Sequence, residues 1–233
     1  MHTNNPCFVN VATDKFVPRQ TRLRESLYKF HGNVDTLFYT DELPPGSPTH
    51  KMVPYAFKTF AMIEALKRGY SHIYWIDTSL VLQKPADKLF KYVDETGYYF
   101  QNNYGYNTGE WCCDNALKTL KIDREESFKL SHINAALICL DVNNTSSLIF
   151  LMAWHGYAND DISFIGPATN KNCECSKHGL VRGHRWDQTV ASVLAVKLNL
   201  KIENSLNFVH VVPQGKTHND KIPEQSLFSQ YRG

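Results

Sequence analysis

Short apolar runs alternate with amphipathic stretches along the first half of the chain. Residues 8–12, 34–39 and 72–77 are short runs typical of buried strands. Between them, residues 19–31 and 53–67 carry apolar side chains at helical spacing. Strands and helices that alternate in this order favour a mostly parallel sheet with helices on both faces.

The second half continues the pattern less regularly. Further strands are predicted at 98–100, 133–142 and 208–212, and further helices from 85–87 onward, at 123–126, at 146–157 and after Asp187. Residues 102–109 are rich in Asn and Gly and predict a loop. Residues 160–183 are long, polar and poor in apolar anchors, so we expect a mobile loop that closes over a ligand.

The length, the charge and the absence of certain motifs argue against several classes of protein. The 233 residues fit one domain spanning 1–233, and the formal net charge of +2 without a basic run argues against a nucleic-acid partner. No apolar run reaches the ~18 residues of a membrane span. Glycine-rich phosphate fingerprints are also absent from the sequence, which disfavours a Rossmann dehydrogenase or a P-loop NTPase.

The six cysteines and the N-terminal residues indicate in which cellular compartment the protein is expected. Residues 1–5 lack the pattern of a signal peptide. The cysteines form no regular framework, so we interpret them as reduced thiols and expect a cytoplasmic location. Cys112, Cys113, Cys173 and Cys175 stand in close pairs, which we interpret as incidental thiols in preference to a zinc site.

The strongest chemical signal is Asp77, which ends an apolar run. Ligands of open α/β sheets bind at the carboxyl ends of the strands. A carboxylate at that point can hold a divalent cation that neutralises a diphosphate. The alternative is that Asp77 only caps the following turn.

Three weaker signals lie further along the chain. Asp187 in Gly-His-Arg-Trp-Asp-Gln precedes a helical pattern, so it is either a helix N-terminal carboxylate or a group that reaches an acceptor hydroxyl. Glu110 and Asp114 flank an aromatic residue in a stretch that suits sugar recognition or is simply solvated. His210 is either a late metal ligand or a core histidine.

Four segments together resemble a known family. They are residues 53–58 (VPYAFK), 74–79 (YWIDTS), 107–112 (NTGEWC) and 183–192 (GHRWDQTVAS). In this order they resemble the GT-A-type nucleotide-diphospho-sugar glycosyltransferases, and they are similar to small bacterial members and to members encoded by large algal viruses. The resemblance implies a GT-A-like α/β fold, with a mixed, mostly parallel sheet flanked by helices.

The resemblance also implies ligands and residue roles. The donor is expected to be a UDP-sugar, with Mn²⁺ or Mg²⁺ as cofactor. The implied donor-binding residues are Val11, Ala12, Thr13, Lys15, Lys58, Asp77, Thr78, Ser79 and His184. Ser79 stands where the wider superfamily has the second aspartate of Asp-x-Asp, so a metal would depend on Asp77, Ser79 and His210. Asp187 is the first choice for a catalytic acid or base, followed by Asp114 and Glu110.

The expected activity is therefore transfer of a hexosyl or deoxyhexosyl group from a UDP-sugar to a hydroxyl of a glycan or glycoprotein. The missing second aspartate leaves open a catalytically inactive module that binds carbohydrate or nucleotide sugar. A phosphohydrolase with Asp77 as nucleophile is a further alternative, although the second aspartate two residues on is lacking here too. The sequence does not distinguish a retaining from an inverting mechanism.

Overall fold

Two β-sheets and seven α-helices organise the chain in a computed structural model that describes residues 6–205, 207–212 and 223–231. The strands are β1 (Cys7–Ala12), β2 (Asp35–Thr40), β3 (His72–Ile76), β4 (Leu80–Leu82), β5 (Tyr98–Asn107), β6 (Ser131–Asp141), β7 (Val209–Val212) and β8 (Phe228–Tyr231). The helices are α1 (Val17–His31), α2 (Phe57–Lys67), α3 (Asp87–Thr96), α4 (Asp114–Thr119), α5 (Arg124–Ser127), α6 (Thr145–Tyr157) and α7 (Trp186–Lys197). Residues 1–5, on which the expectation about a signal peptide depends, lie outside the described residues.

The larger sheet has the strand order β2-β1-β3-β6-β5. β1 pairs in parallel with both β2 and β3, while β6 is antiparallel to its neighbours β3 and β5. Four of its five strands therefore run in one direction, as the sequence predicts. A smaller sheet, β4-β8-β7, lies beyond the end of β3.

Helices cover both faces of the larger sheet because its central strands alternate their apolar side chains. Val9 and Trp75 belong to the core cluster that α2, α6 and α7 complete, whereas Phe8 and Tyr74 belong to the cluster that α1 and α3 complete. This alternation is the two-residue period of a strand buried on both sides. The fold is thus a mixed α/β architecture of the predicted class.

The structure differs from the local predictions in three places. Helix α2 begins at Phe57, not at residue 53, because Tyr55 adopts a φ of 61°, which lies outside the right-handed helical region. The predicted loop at 102–109 is mostly strand, since β5 continues to Asn107. Its pairing with β6 is interrupted by two register shifts, which accommodate the irregular residues. Strands β4 and β8 were not predicted, because both are short and β8 carries two polar residues.

The segment 160–183 is well anchored, contrary to the expectation of few apolar anchors. It has one 3₁₀ turn, Lys171–Cys173, but Phe164 is completely buried and Val181 nearly so. The Asn170 side chain donates to the carbonyls of Ser176 and Val181, which holds the segment together in place of regular structure.

Candidate active site

Asp77 lies at the edge where the parallel strands β1, β2 and β3 all end. Its backbone N–H donates to the Ala136 carbonyl at 2.8 Å, which extends the pairing of β3 with β6 by one residue. The Trp75 indole N–H donates to Asp77 Oδ1, also at 2.8 Å. The carboxylate is therefore fixed by its own strand and is 28% exposed to solvent.

Lys58 is the most unusual charged residue of the chain. Its side chain is 3% exposed, and its ammonium lies 2.9 Å from Asp187 Oδ2 and 3.2 Å from Asp77 Oδ1. It also donates to the Ala135 carbonyl at 3.0 Å. Burial alone lowers the pKa of Lys58, but the carboxylates of Asp187 and Asp77 outweigh it and raise the pKa overall, so the ammonium stays protonated.

Asp187 reaches this cluster from the opposite end of the chain, in the first turn of α7. The close approach of the preceding backbone requires Gly183, since a Cβ atom there would lie 2.2 Å from the Ala168 carbonyl oxygen. Burial raises the pKa of Asp187 to about 6, although Lys58 opposes the shift. Asp187 is therefore ionised at neutral pH and is close to the range of a general base.

Lys58, Asp77 and Asp187 form what we call the acid–lysine cluster. Two carboxylates and one ammonium give it a net charge of −1 when all three are ionised. All three line a polar central cavity of about 460 Å³, together with Asn134 and Arg185. Such a cluster stabilises positive charge that develops on a bound molecule and accepts hydrogen bonds from hydroxyl groups.

Two further cavities adjoin the central one. An outer cleft of about 1120 Å³ shares Asp77, Tyr55 and Gln230 with it and has a mixed polar and aromatic lining. That lining includes Val11, Thr13, Asp14, Phe16, Arg19, Asp41, Lys51, Phe57, Trp75, Thr78 and Ser79. A side cavity of about 320 Å³ shares Asn103, Tyr106 and Asn134 with the central one and is lined largely by amides and tyrosines.

The predicted donor-binding residues divide between these surfaces and the interior. Val11, Thr13, Thr78 and Ser79 line the outer cleft with Asp77, and Lys58 lines the central cavity. Ala12 is buried and Lys15 is exposed, with its ammonium over the Phe16 ring. His184 is completely buried and shares a hydrogen bond with the Ser163 carbonyl, so it supports the turn before Asp187 instead of facing a cavity.

Of the three predicted catalytic acids, only Asp187 lies in the cluster. Glu110 accepts from Asn107 and pairs with Arg182 at 3.0 Å. Asp114 is 58% exposed and pairs with Arg124. Neither acid lines the three cavities, so the structure brings Asp77, Lys58 and Asp187 together and leaves these two on another surface.

The residues predicted to bind a divalent metal lie along two cavities: Asp77 and Ser79 line the outer cleft, and His210 lines the side cavity. Asp77 Oδ1 is bonded to Lys58 and Trp75, whereas the Ser79 hydroxyl is buried without a hydrogen-bond partner among the described residues. The residue that follows His210 in β7, Val211, pairs with Gln230 of β8. Since successive residues of a strand face opposite sides of the sheet, His210 lies on the face opposite to that of Gln230. Within the described ranges, no group of three His, Cys, Asp or Glu residues is placed to hold a metal ion.

The sequence did not identify several residues of the central cavity. Asn134 interrupts an otherwise apolar strand, a signal that was available, and its amide donates to Gln230 at 3.0 Å. Gln230 comes from the unpredicted strand β8, so nothing in the local pattern singled it out. Tyr55 lies in the strained turn before α2, with its ring 5.4 Å from that of Trp186.

The architecture is that of known glycosyltransferases. Over 97% of this chain and 93% of the other, it matches a glycosyltransferase involved in the glycosylation of the major capsid of PBCV-1, with a TM-score of 0.53 and 13% identity. It matches the galactosyltransferase LgtC, solved with donor and acceptor sugar analogues, over 97% and 87% of the two chains, with a TM-score of 0.50 and 10% identity. The bifunctional glycosyltransferase WbbM has a TM-score of 0.53 and 9% identity over 98% of this chain, which spans 46% of that protein.

These similarities establish the fold. The chain has the GT-A-type α/β fold that the sequence predicts, with a mostly parallel sheet flanked by helices. No family model and no curated protein sequence matches the chain. No helix in the described part of the chain is both long and apolar enough to cross a membrane.

Proposed function

We propose that the protein transfers a sugar from a nucleoside diphosphate sugar, a UDP-sugar by the resemblance of its motifs, to a hydroxyl group of a glycan or glycoprotein. The observation that carries the proposal is the acid–lysine cluster, which lines the central cavity and meets the outer cleft through Asp77. The nucleotide binds in the outer cleft, the transferred sugar beside the cluster, and the acceptor enters through the side cavity.

The outer cleft presents both cations and acids to a ligand. Arg19 and Lys51 are the cationic residues available to a diphosphate, and Asp14, Asp41 and Asp77 line the same cleft. Lys58 does not take that role, because its ammonium is fully engaged by two carboxylates and one carbonyl. The net −1 charge of the cluster instead stabilises the oxocarbenium-like sugar in the transition state, while Asp187 accepts the proton of the attacking hydroxyl.

The experiment that tests this function is a search for donor turnover. The purified chain is incubated with a panel of nucleoside diphosphate sugars, with and without oligosaccharide acceptors, and released nucleotide is measured by chromatography. We expect release from one class of donor that increases with the matching acceptor. Binding without release would make the protein a binding module, and a phosphorylated Asp77 would make it a phosphohydrolase.

We expect the nucleotide to bind without a divalent metal. Calorimetric titration should show uridine diphosphate binding more tightly than the adenosine and guanosine forms, with a dissociation constant that changes less than about threefold when EDTA replaces Mn²⁺. The reason is that Asp77 and Ser79 line the outer cleft whereas His210 lines the side cavity, and that Asp77 Oδ1 is already engaged by Lys58 and Trp75. A large loss of affinity in EDTA would contradict metal independence, and equal affinity for all three nucleotides would contradict the uridine donor.

Turnover should depend on pH through Asp187. Burial raises the pKa of Asp187 to about 6, so the base is ionised above that pH and protonated below it. We therefore expect the turnover number to be flat at neutral pH and to fall about tenfold per pH unit once the pH drops below about 6. A profile at saturating donor checks this, and a flat profile down to pH 4.5 would exclude Asp187 as the base.

A further inference from the structure

Cys113 and Cys175 lie together although 62 positions separate them in sequence. Their Sγ atoms are 2.7 Å apart, and the two side chains are 5% and 4% exposed. The sulfur atoms of Cys7, Cys112 and Cys175 also contact carbonyl oxygens, at 4.0, 3.5 and 3.4 Å. Cys113 and Cys175 make a sulfur–sulfur contact instead, and its length is within ~1 Å of the ~2.05 Å of an S–S bond.

The backbone around the two sulfurs is already joined. The Asp114 N–H donates to the Cys175 carbonyl at 3.0 Å, so the two cysteines belong to segments that are hydrogen-bonded to each other. Cys113 is the residue before α4, and Cys175 follows the 3₁₀ turn of the segment 160–183. A bond between the sulfurs therefore closes with little movement of either backbone.

A metal ion does not explain the pair. His184, the nearest further ligand type, has both ring nitrogens in use, one accepting from the Cys113 N–H at 3.4 Å and the other bonded to the Ser163 carbonyl at 3.0 Å. The neighbouring thiol of Cys112 turns toward its own apolar cluster with Ala116 and Leu117. Within the described residues no third ligand completes a metal site around these sulfurs.

We propose that Cys113 and Cys175 are a redox-active pair that forms a disulfide and thereby fastens the segment 160–183 to the start of α4. Glutathione disulfide serves as the oxidant: one cysteine thiolate attacks it, giving a mixed disulfide and one glutathione thiol. The second cysteine then attacks the mixed disulfide and releases the second glutathione. The protein loses two electrons and two protons, and one glutathione disulfide is reduced to two glutathione molecules.

The proposal departs from the expectation of incidental thiols, since both cysteines are free in the structure, and it does not depend on the catalytic proposal. Burial raises the pKa of Cys113 and that of Cys175, so both are mostly thiols while the segment is closed. Thiol–disulfide exchange therefore requires that the segment 160–183 opens, or that an alkaline pH converts one of the thiols to its thiolate. Once formed, the bond holds the region that ends at Gly183, whose close approach to Ala168 positions the turn before Asp187.

The test uses the purified full chain, equilibrated with glutathione disulfide or with a reductant and then alkylated under denaturing conditions. We expect Cys113 and Cys175 to be protected from alkylation in the oxidised sample, and a linked peptide that contains both cysteines to weigh about 2 Da less than the two reduced peptides together. Cys113→Ser and Cys175→Ser should each abolish that link, whereas Cys112→Ser and Cys173→Ser should keep it.

Limited proteolysis gives an independent readout. Lys171 and Lys177 are exposed sites within the segment, and trypsin should cut there about tenfold more slowly in oxidised wild type than in reduced wild type. The Cys175→Ser variant should show no difference between the two conditions. Six alkylated cysteines after equilibration with the oxidant, or a link that uses Cys173 instead, would overturn the proposal, even if one serine variant fails to fold.

Discussion

Replacing Asp187 with asparagine is expected to lower sugar transfer by several hundredfold while the affinity for uridine diphosphate stays nearly unchanged. Asp187 lines the central cavity but not the outer cleft, so a ligand without a sugar does not reach it. Loss of a general base typically costs about 10²- to 10⁴-fold. The fold should persist, because Lys58 keeps Asp77 and the Ala135 carbonyl as partners and the asparagine oxygen still accepts from it.

Two other aspartates provide matched comparisons for this variant. Asp114→Asn removes an acid of the same type on another surface, and it should leave transfer within about twofold of wild type. Asp77→Asn should impair both nucleotide binding and transfer, since Asp77 lines the outer cleft and the central cavity. If Asp187→Asn instead loses uridine diphosphate and keeps turnover at saturating donor, the roles assigned to the two cavities are wrong.

Most of the fold could be predicted because the buried strands leave a clear periodic signal. The four residues before Asp77, Ile73 to Ile76, are apolar or aromatic because β3 is covered on both faces and paired on both edges. The signal failed where tertiary contacts compensate for poor local propensity. The polar residues of β5 pair with β6 across two register shifts, and β8 fits between β4 and β7 although only its neighbours select that conformation.

The site was only partly predictable, for a different reason. Asp77 and Asp187 each carried a local signal, but the ion pair that joins them to Lys58 spans three distant parts of the chain. Motif order indicated that Lys58 is one of the donor-binding residues. The geometry gives its ammonium two carboxylates as partners, which no spacing along one helix or strand reveals. The polar lining of the side cavity depends equally on β7, whose register relative to β8 only the folded sheet defines.

Replacing Lys58 with methionine should produce the largest stability effect of any single change in the site. Methionine keeps much of the volume but leaves Asp187, whose side chain is 4% exposed, without its cationic partner. Removing one member of a buried ion pair commonly costs about 3–5 kcal/mol. We expect the melting temperature at pH 7.5 to fall by roughly 10 °C and donor turnover to be lost. The Asp77 carboxylate is destabilised less by this substitution, since it keeps the hydrogen bond from Trp75 and is partly exposed to solvent.

A second substitution separates this electrostatic cost from simple loss of packing. In the variant carrying both Lys58→Met and Asp187→Asn, no unpaired carboxylate remains fully buried. Its melting temperature should therefore return most of the way to the wild-type value, while turnover stays absent.

The single Lys58→Met variant should also recover stability on acidification. Without the ammonium that opposes the shift, burial raises the pKa of Asp187 further above its unfolded value, so the folded state holds a proton that the unfolded state has released. The deficit relative to wild type is therefore full only above the raised pKa of Asp187 in the variant, and it disappears as the pH falls toward about 6, the pKa of Asp187 beside Lys58. A deficit that is independent of pH, and that Asp187→Asn does not relieve, would mean that Lys58 stabilises the fold through its packing and not as the counter-ion of the two acids.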